Sequence, residues 1–499
     1  MVIRRLILVA AVAAVAGSVR PPAPVAGRHF YPDDPISAMP PPLPVKDPVK
    51  RDIDEFYDFI TNSSRTPGER QFHPAFLPGQ AINTLGEVPD SDWYTNRWRD
   101  RPMNTAMLVR GPDSTPPPFM DAPWNVTSAK TTGVTPGFSI TDAHGNRYLV
   151  KFDPKENPEM ATAADVVGAH FFWAFGYNVP CNYIVVFDRR QLRMDPKARF
   201  TTPEGVKRAM RLEDVDHILE KIPKTADGRY RGMATAIIGG RLLGPFRYDG
   251  TRKDDPNDIV LHENRRDLRG LYVFAAWLNH TDAKSGNSMD TLVTENGIPR
   301  IKHYLIDFGA IMGSDSTEAK DPRAGHEYFI DYKPGLIRAL TLGFWIPEWA
   351  RADWHNLPAV GHFRSDMFDP DHWKNNYPNP AFLNRLPDDE FWAAKQVMRF
   401  TPEQIRAMVE TGRYSDPEAA AYLTRVLIER QRKIGAAFFA RVLPLDNFAI
   451  SNGRLAFDDL GVKYGLFPAR NWNVQWFRYD NGAGTRSPLA RAGFELPDA

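Results

Sequence analysis

Four polar residues near the middle of the chain have the types that phosphoryl transfer needs. Asp282 and Asn287 form an Asp-x4-Asn pair, Lys284 stands between them, and Asp307 begins an Asp-Phe-Gly sequence. Mg²⁺ prefers oxygen ligands, and a separate carboxylate must orient the attacking hydroxyl. The residue types therefore predict that Asp307 and Asn287 hold a metal, that Asp282 acts as a base and that Lys284 contacts the transferring phosphate.

A predicted hairpin brings these residues together. A strand pattern follows Asn287, turns at Asn296-Gly297 and returns through a second strand over 300–306 that ends at Asp307. Asn-Gly is a strong hairpin turn, and a hairpin brings its two ends side by side. Before it, apolar residues with helical spacing predict an amphipathic helix that ends near Asn279: Leu268, Leu271, Tyr272, Ala275 and Leu278.

An earlier hairpin presents a lysine. Strand-like runs over 138–141 and 147–152 flank a turn-rich segment, and alternation along the second strand points Lys151 inward. A helix that starts at Pro158 and stops at Gly176 follows, and then a buried strand over 183–187. Lys151 is the natural candidate for the phosphates of a nucleotide, and an acid on the helix is expected to hold it.

The order of these features resembles the protein-kinase-like superfamily. A strand lysine, a helical acid, an Asp-x4-Asn loop and Asp-Phe-Gly follow one another over about 125–315. The segments 148–152, 175–180 and 282–287 look most like the HipA-type and CotH-type atypical kinases, and 305–309 is also similar to the phosphatidylinositol 3/4-kinases. The resemblance implies an α+β fold with a bilobal kinase-like core, in which a small β-rich N-lobe precedes a mainly helical C-lobe.

Several positions depart from the kinase pattern. In HipA-like kinases the helical acid is a glutamate, whereas this chain has Asp165 at that place and Glu159 as a competitor near the start of the helix. Thr281 replaces the arginine of the His-Arg-Asp sequence, which argues against control by a phosphorylated activation loop. The segment with Lys130 and Gly133 stands where a phosphate-covering loop is expected, because its glycines allow backbone approach to phosphates.

These features predict an ATP-dependent phosphotransferase. Its cofactors would be ATP with Mg²⁺ or Mn²⁺, and its acceptor a hydroxyl of a protein, a lipid or a small molecule. The resemblance also implies transfer of AMP if the nucleotide binds reversed. The alternative is an exported pseudokinase-like module, used for binding or envelope assembly, which keeps the fold without catalysis. Such a module has no chemical need for Lys151, Asp282, Asn287 and Asp307 together.

The remaining chain divides into an arm, the core and a tail. Residues 1–16 read as a signal peptide, with a basic start, an apolar run and a small-x-small end, which predicts export to the periplasm or the medium. An exported enzyme would meet little ATP, so a cytoplasmic enzyme remains an alternative. A Pro-rich arm covers 17–124, the N-lobe 125–190, the C-lobe 191–445 and a C-terminal tail 446–499.

Composition limits the classes of protein and of functional site that this sequence can represent. The chain has 499 residues, a formal net charge of +1 and one cysteine, Cys181. The balanced charge gives no electrostatic reason to expect nucleic-acid binding, and one cysteine excludes an intrachain disulfide. After the leader, no segment is long and apolar enough to predict a membrane span. His-Glu-x-x-His, Gly-x-Ser-x-Gly and Walker sequences are missing, and the 12 histidines have no ligand spacing.

Overall fold

The computed structural model describes residues 42–65, 77–83, 85–98, 102–130, 135–202, 205–355, 357–480 and 483–497. The predicted signal peptide over 1–16 and Gly133 of the predicted phosphate-covering segment lie outside these residues. Among the helices of the described ranges, none has the length and apolarity to cross a membrane.

The described chain combines short strands and helices up to residue 305, and from there to residue 439 its regular elements are all helices. Its helices are α1 (Glu55–Arg65), α2 (Thr105–Arg110), α3 (Met160–Ala174), α4 (Leu212–Leu219), α5 (Arg266–Leu278), α6 (Tyr332–Leu340), α7 (Glu348–Arg351), α8 (Pro380–Leu383), α9 (Pro387–Val397), α10 (Pro402–Glu410), α11 (Pro417–Phe439) and α12 (Leu460–Lys463). Its strands are β1 (Trp124–Ala129), β2 (Gly137–Thr141), β3 (Arg147–Lys151), β4 (Asn182–Phe187), β5 (Leu192–Thr201), β6 (Lys207–Ala209), β7 (Tyr230–Ala236), β8 (Arg241–Gly244), β9 (Ser288–Glu295), β10 (Ile298–Leu305), β11 (Leu445–Ser451), β12 (Arg454–Asp459), β13 (Gln475–Asp480) and β14 (Thr485–Ala492).

A seven-stranded sheet forms the first layer, in the order β4-β7-β3-β2-β1-β5-β6. The β2–β3 hairpin forms where the turn residues predict it, because Asp142 Oδ1 accepts hydrogen bonds from the amides of His144 and Asn146. Alternate residues of these strands are fully buried, among them Phe138, Ile140, Tyr148 and Val150. Lys151 therefore stands at the end of a strand whose register the buried face fixes.

The sheet extends beyond the predicted N-lobe, which ended at residue 190. The prediction that the chain turns mostly helical after Arg190 is wrong for 192–244, where β5 to β8 form. β5 pairs with β1 in parallel and carries a mixed, half-exposed side-chain pattern. Half-exposed strands of this kind lack the alternation of apolar residues that makes a strand recognisable in sequence.

α3 joins the sheet to the helical part of the chain. It is apolar on nearly every face, since 14 of its 15 residues are buried. Val166 packs against Ile184 of β4 and Met233 of β7. On another side Gly168 lies under the Asp-Phe-Gly segment, where an added Cβ would come within 2.7 Å of the Phe308 Cβ. The helix therefore links the strand lysine to the segment that contains Asp307.

α5 is the central helix of the second layer. All its residues are buried, and it packs against α8, α9 and α11. The Trp277 indole donates to the Leu427 carbonyl over 2.9 Å, and the Arg430 guanidinium donates to the carbonyls of Ala276 and Trp277. The helix ends at Asn279, whose left-handed backbone (φ 52°) turns the chain into the loop that starts at His280. The mixed α+β architecture predicted from the sequence is confirmed.

The N-terminal arm packs onto this body. Its aromatic residues Trp93, Tyr94, Trp98 and Trp124 are all buried, as their types predict. Trp98 donates to the Ala174 carbonyl over 2.9 Å, and Trp93 stacks on His303 with ring centres 3.6 Å apart. The tail over 446–499, for which no element is predicted, contains the β13–β14 hairpin and, except for Leu445, the β11–β12 hairpin.

The first described residues are fastened to the β8–β9–β10 sheet. Arg51 donates its amide to the Leu243 carbonyl over 2.7 Å, and Val45 is buried beside Leu243. The chain approaches so closely that a Cβ on Gly244 (φ 84°) would overlap the Arg51 carbonyl oxygen. A glycine is therefore required at 244 both for its left-handed backbone and for the contact.

Replacement of Gly244 by alanine should release this segment. We expect Gly244→Ala to lower the free energy of unfolding by about 1–3 kcal/mol and to speed proteolysis within 42–65. Gly250→Ala is the matched control, because Gly250 also has a positive φ (68°) but open space around it. Thermal melting and limited proteolysis check both; equal proteolysis of the two variants would contradict the role of the close contact.

Candidate active site

A cavity of about 680 Å³ lies between the seven-stranded sheet and the helical layer. β3, α3, the loop after α5 and the end of the β9–β10 hairpin each contribute polar residues to it. Its lining includes all but two of the residues predicted for the site: Lys130, Lys151, Asp165, Asp282, Lys284, Asn287 and Asp307. The two others are Gly133, which lies outside the described residues, and Glu159.

Lys151 stands at the centre of the charges. Its Nζ lies 2.8 Å from Asp307 Oδ1 and 3.2 Å from Asp165 Oδ2, and its side chain is 12% exposed. Burial opposes the charged form of Lys151, but the two carboxylates outweigh it and raise the pKa of the ammonium. Lys151 therefore carries a fixed positive charge between the sheet, α3 and the Asp-Phe-Gly segment.

Asp165 is the helical acid that holds Lys151. Its Oδ1 accepts from the Asn182 amide over 2.8 Å and from the Phe308 backbone amide over 3.3 Å. Burial raises the pKa of this carboxyl, and the Lys151 ammonium opposes the rise. Glu159, the competitor considered from the sequence, is not brought to Lys151: it has a left-handed backbone before α3, and its carboxylate accepts from the Ser415 amide over 2.7 Å.

Lys130 supplies a second ammonium to the cavity. Its Nζ donates to the Thr135 carbonyl over 3.0 Å and to the Thr135 hydroxyl over 2.6 Å. Burial, together with repulsion from Lys151, lowers the pKa of Lys130 to about 8. The cavity thus has two lysines on the side of the sheet. An anion bound between them would contact both ammonium groups.

The loop after α5 forms one compact hydrogen-bonded unit. A 3₁₀ turn over Ser285–Asn287 returns the chain, so that Asn287 Nδ2 donates to Asp282 Oδ2 over 2.8 Å. Lys284 Nζ lies 3.3 Å from Asp282 Oδ1. Burial raises the pKa of Asp282, while Lys284 and Asn287 limit the rise.

The hairpin register sets Asn287 beside the Asp-Phe-Gly segment. Ser288 pairs with Leu305, and the Ile306 amide donates to the Asn287 carbonyl over 3.0 Å. Asp307 then adopts a left-handed backbone (φ 61°), a conformation that non-glycine residues hold only where their surroundings impose it. Burial alone would raise the pKa of Asp307, but Lys151 and Lys130 outweigh it and hold the pKa low.

The donor set suits a hard divalent cation shared with a phosphate. The amide nitrogen of Asn287 is committed to Asp282, which leaves the amide oxygen as the remaining donor atom of that side chain in the cavity that Asp307 also lines. In the described part of the chain no three His, Cys, Asp or Glu side chains cluster as a metal site. Mg²⁺ commonly binds through one or two protein oxygens plus substrate phosphates, so these two residues fit it.

Two further residues of the site gave no signal in the sequence. Lys320 is buried and donates to the Thr281 hydroxyl and the Ala310 carbonyl, 3.0 Å each. It thereby ties the loop after α5 to the segment after Asp307, at the position where Thr281 departs from the kinase pattern. Glu55 reaches the cavity from α1, and its Oε2 lies 3.0 Å from Lys284 Nζ. Both come from irregular or distant parts of the chain that no local spacing connects to the site.

His280 is packed rather than available to the cavity. Its ring contacts the rings of Phe172 and Phe308, with centres 5.6 Å and 6.0 Å apart. Burial lowers the pKa of His280 to about 3, so the ring is neutral at physiological pH. It therefore supports the Phe308 side chain, and its neutral ring does not line the cavity.

Comparison with known proteins gives distant structural similarity to kinases. No family model and no curated protein matches the chain. Its structure is similar to a Helicobacter pylori proinflammatory kinase, CtkA, with 13% identity, 65% of this chain and 97% of that chain covered and a TM-score of 0.35. Two structures of the Golgi casein kinase are also similar. The one with Mn and ADP bound has 11% identity, with 64% of this chain and 72% of that chain covered and a TM-score of 0.29. The other has 10% identity, with 64% of this chain and 74% of that chain covered and a TM-score of 0.31. At these scores the likeness is distant, and the chemistry of the cavity rests on its own side chains.

Loss of the Lys151 charge should destabilise the protein in a pH-dependent way. Lys151→Met leaves Asp165, whose side chain is 2% exposed, without its cation, and removal of one partner of a buried ion pair costs about 3–5 kcal/mol. Without the cation the pKa of Asp165 rises further, and protonation then removes the unpaired charge. Urea unfolding should therefore show a deficit in the free energy of unfolding that is largest at neutral pH and shrinks as the pH falls.

A second substitution tests the origin of that deficit. Lys151→Met with Asp165→Asn removes both charges but keeps an oxygen for the Asn182 and Phe308 donors. We expect the double variant to recover at least half of the loss at neutral pH. A deficit that is independent of pH and unchanged in the double variant would mean that lost packing, not charge, is the cause.

Proposed function

We propose that this protein is an ATP-dependent phosphotransferase of the atypical, HipA-like or CotH-like kinase type. One observation carries the proposal: Lys151 Nζ bridges Asp165 and Asp307, while the hairpin sets Asn287 beside Asp307 in the same cavity. Strand lysine, helical acid and two oxygen donors thus face one space from four separate elements. The acceptor is proposed to be a hydroxyl of a protein, a lipid or a small molecule.

The cavity also has a surface suited to a nucleobase. Apolar side chains line it beside the charged cluster, among them Leu149, Met233, Ile237, Met289 and Ile306. A planar base binds well in such a slot, and its phosphates would then extend toward Lys151 and Lys130. Both ammonium groups would contact phosphate oxygens, and Asp165 would keep Lys151 oriented when Asp307 turns to a metal.

Asp307 and Asn287 would hold Mg²⁺ or Mn²⁺, which when bound neutralises charge on the phosphates. The protein's own part is to orient the acceptor. The Asp282 carboxylate accepts the proton of the acceptor hydroxyl as the hydroxyl oxygen bonds to the terminal phosphorus. The bond from that phosphorus to the bridging oxygen breaks, and the nucleoside diphosphate leaves. Lys284 and Asn287 fix the Asp282 carboxylate, and Lys284 contacts the transferred group.

Nucleotide binding should depend on Asp307. Saturating ATP with Mg²⁺ at about 100 times its dissociation constant should add about 2.7 kcal/mol to the free energy of unfolding and raise the melting temperature. In Asp307→Asn we expect the Mg²⁺-dependent part of that rise to vanish. Asp315→Asn is the control, since both carboxylates pair with a lysine and are 45% exposed, but Asp315 does not line the cavity. A full metal-dependent shift in Asp307→Asn would refute the metal role.

Removal of the base should separate binding from transfer. Asp282→Asn keeps a similar shape, so the thermal shift with ATP and Mg²⁺ should persist, while transfer of radiolabelled phosphate to acceptor or water falls at least about 10²-fold. Retention of transfer by Asp282→Asn would contradict its role as base. Absence of a nucleotide-dependent shift in the unaltered chain would instead favour the non-catalytic binding module.

Export of the protein remains a prediction from residues 1–16.

A further inference from the structure

α1 comes from the N-terminal arm, yet it reaches the mouth of the cavity. Glu55, in its first turn, places Oε2 3.0 Å from Lys284 Nζ, and the Glu55 side chain remains 61% exposed. Gly286 leaves room for this carboxylate, because a Cβ at 286 would lie 2.5 Å from Glu55 Oε1. The arm thus sets a negative charge on the lysine that the proposed function assigns to the terminal phosphate.

Contacts on both sides keep α1 in this position. The Tyr377 hydroxyl donates to Asp58 Oδ2 over 2.9 Å, and Phe59 packs edge-on against Tyr377 and Phe329. Upstream, the Val49 amide donates to Asp254 Oδ2 over 2.7 Å. Glu55 therefore stands between two anchored segments, and its approach to Lys284 follows from where the arm is fastened.

Lys284 already has two anionic partners before any phosphate arrives. Asp282 Oδ1 lies 3.3 Å from its ammonium and Glu55 Oε2 lies 3.0 Å from it. A terminal phosphate drawn to Lys284 would come close to the Glu55 carboxylate, and like charges at short range repel. The Glu55 carboxylate must therefore move away from Lys284, or the phosphate must bind despite repulsion from that carboxylate.

We propose that Glu55 competes with the terminal phosphate of a nucleoside triphosphate for Lys284, so that the N-terminal arm restrains triphosphate binding. The inference rests on the proposed function, and it adds a restraint on nucleotide binding at the same site. The competition acts only on the terminal phosphate. A ligand that has the base and ribose but no phosphate binds independently of Glu55.

The test compares two single charge removals in the full chain. Glu55→Gln keeps the shape of the side chain without its charge. Asp52→Asn is the matched control, because Asp52 precedes α1, is 86% exposed and pairs only with exposed Lys50 among the described residues. Isothermal titration with ATP and Mg²⁺, and separately with adenosine, measures the dissociation constants of each chain.

We expect Glu55→Gln to lower the dissociation constant of ATP about fivefold, the size of effect that a partly exposed charge contact gives. The adenosine constant should stay unchanged, and Asp52→Asn should match the unaltered chain with both ligands. An unchanged or weakened ATP affinity in Glu55→Gln would overturn the inference and leave the proposed function standing. An equal gain for adenosine, or an equal gain in Asp52→Asn, would also overturn it. Failure of every chain to bind ATP would refute the proposed function as well.

Discussion

The site depends on one buried ammonium. Lys151 bonds to a carboxylate on α3 and to another at the end of β10, 14 and 156 residues away in the chain. Neither a buried lysine nor a buried carboxylate such as Asp165 is tolerated alone, so the contacts of Lys151 with Asp165 and Asp307 hold the strand, the helix and the hairpin to one another. Carboxylates from two separate elements are thereby held at one point of the cavity.

The surrounding packing explains why the contact can form. α3 is buried on nearly all sides, and Gly168 admits the Phe308 side chain against it. Phe308 in turn stacks on Phe172 with ring centres 4.8 Å apart. The segment that contains Asp307 is thus held by apolar contacts, which frees its carboxylate for Lys151 and, under the proposed function, for a metal.

Local chemistry made much of this predictable. The Asn296-Gly297 turn fixes the register that sets Asn287 beside Ile306, and the sequence alone indicates that turn. The choice between Asp165 and Glu159 needed the position where α3 begins, because Glu159 lies just before the helix and its carboxylate accepts from the Ser415 amide. Glu55 and Lys320 reach the site through tertiary contacts of the arm and of an irregular segment. The spacing of residues in the sequence therefore does not predict their place there. β5 and β6 are half-exposed and show no regular alternation of buried residues, so the sequence does not reveal them as strands.

The most direct measurement is a crystal structure with Mn²⁺ and a non-hydrolysable ATP analogue, in which anomalous scattering locates the metal. We expect Mn²⁺ at about 2.1 Å from side-chain oxygens of Asp307 and Asn287, as for a small hard cation. We also expect phosphate oxygens within hydrogen-bond distance of the Lys151 ammonium. Mn²⁺ held by other residues, or a nucleotide outside this cavity, would contradict the proposed nucleotide and metal site.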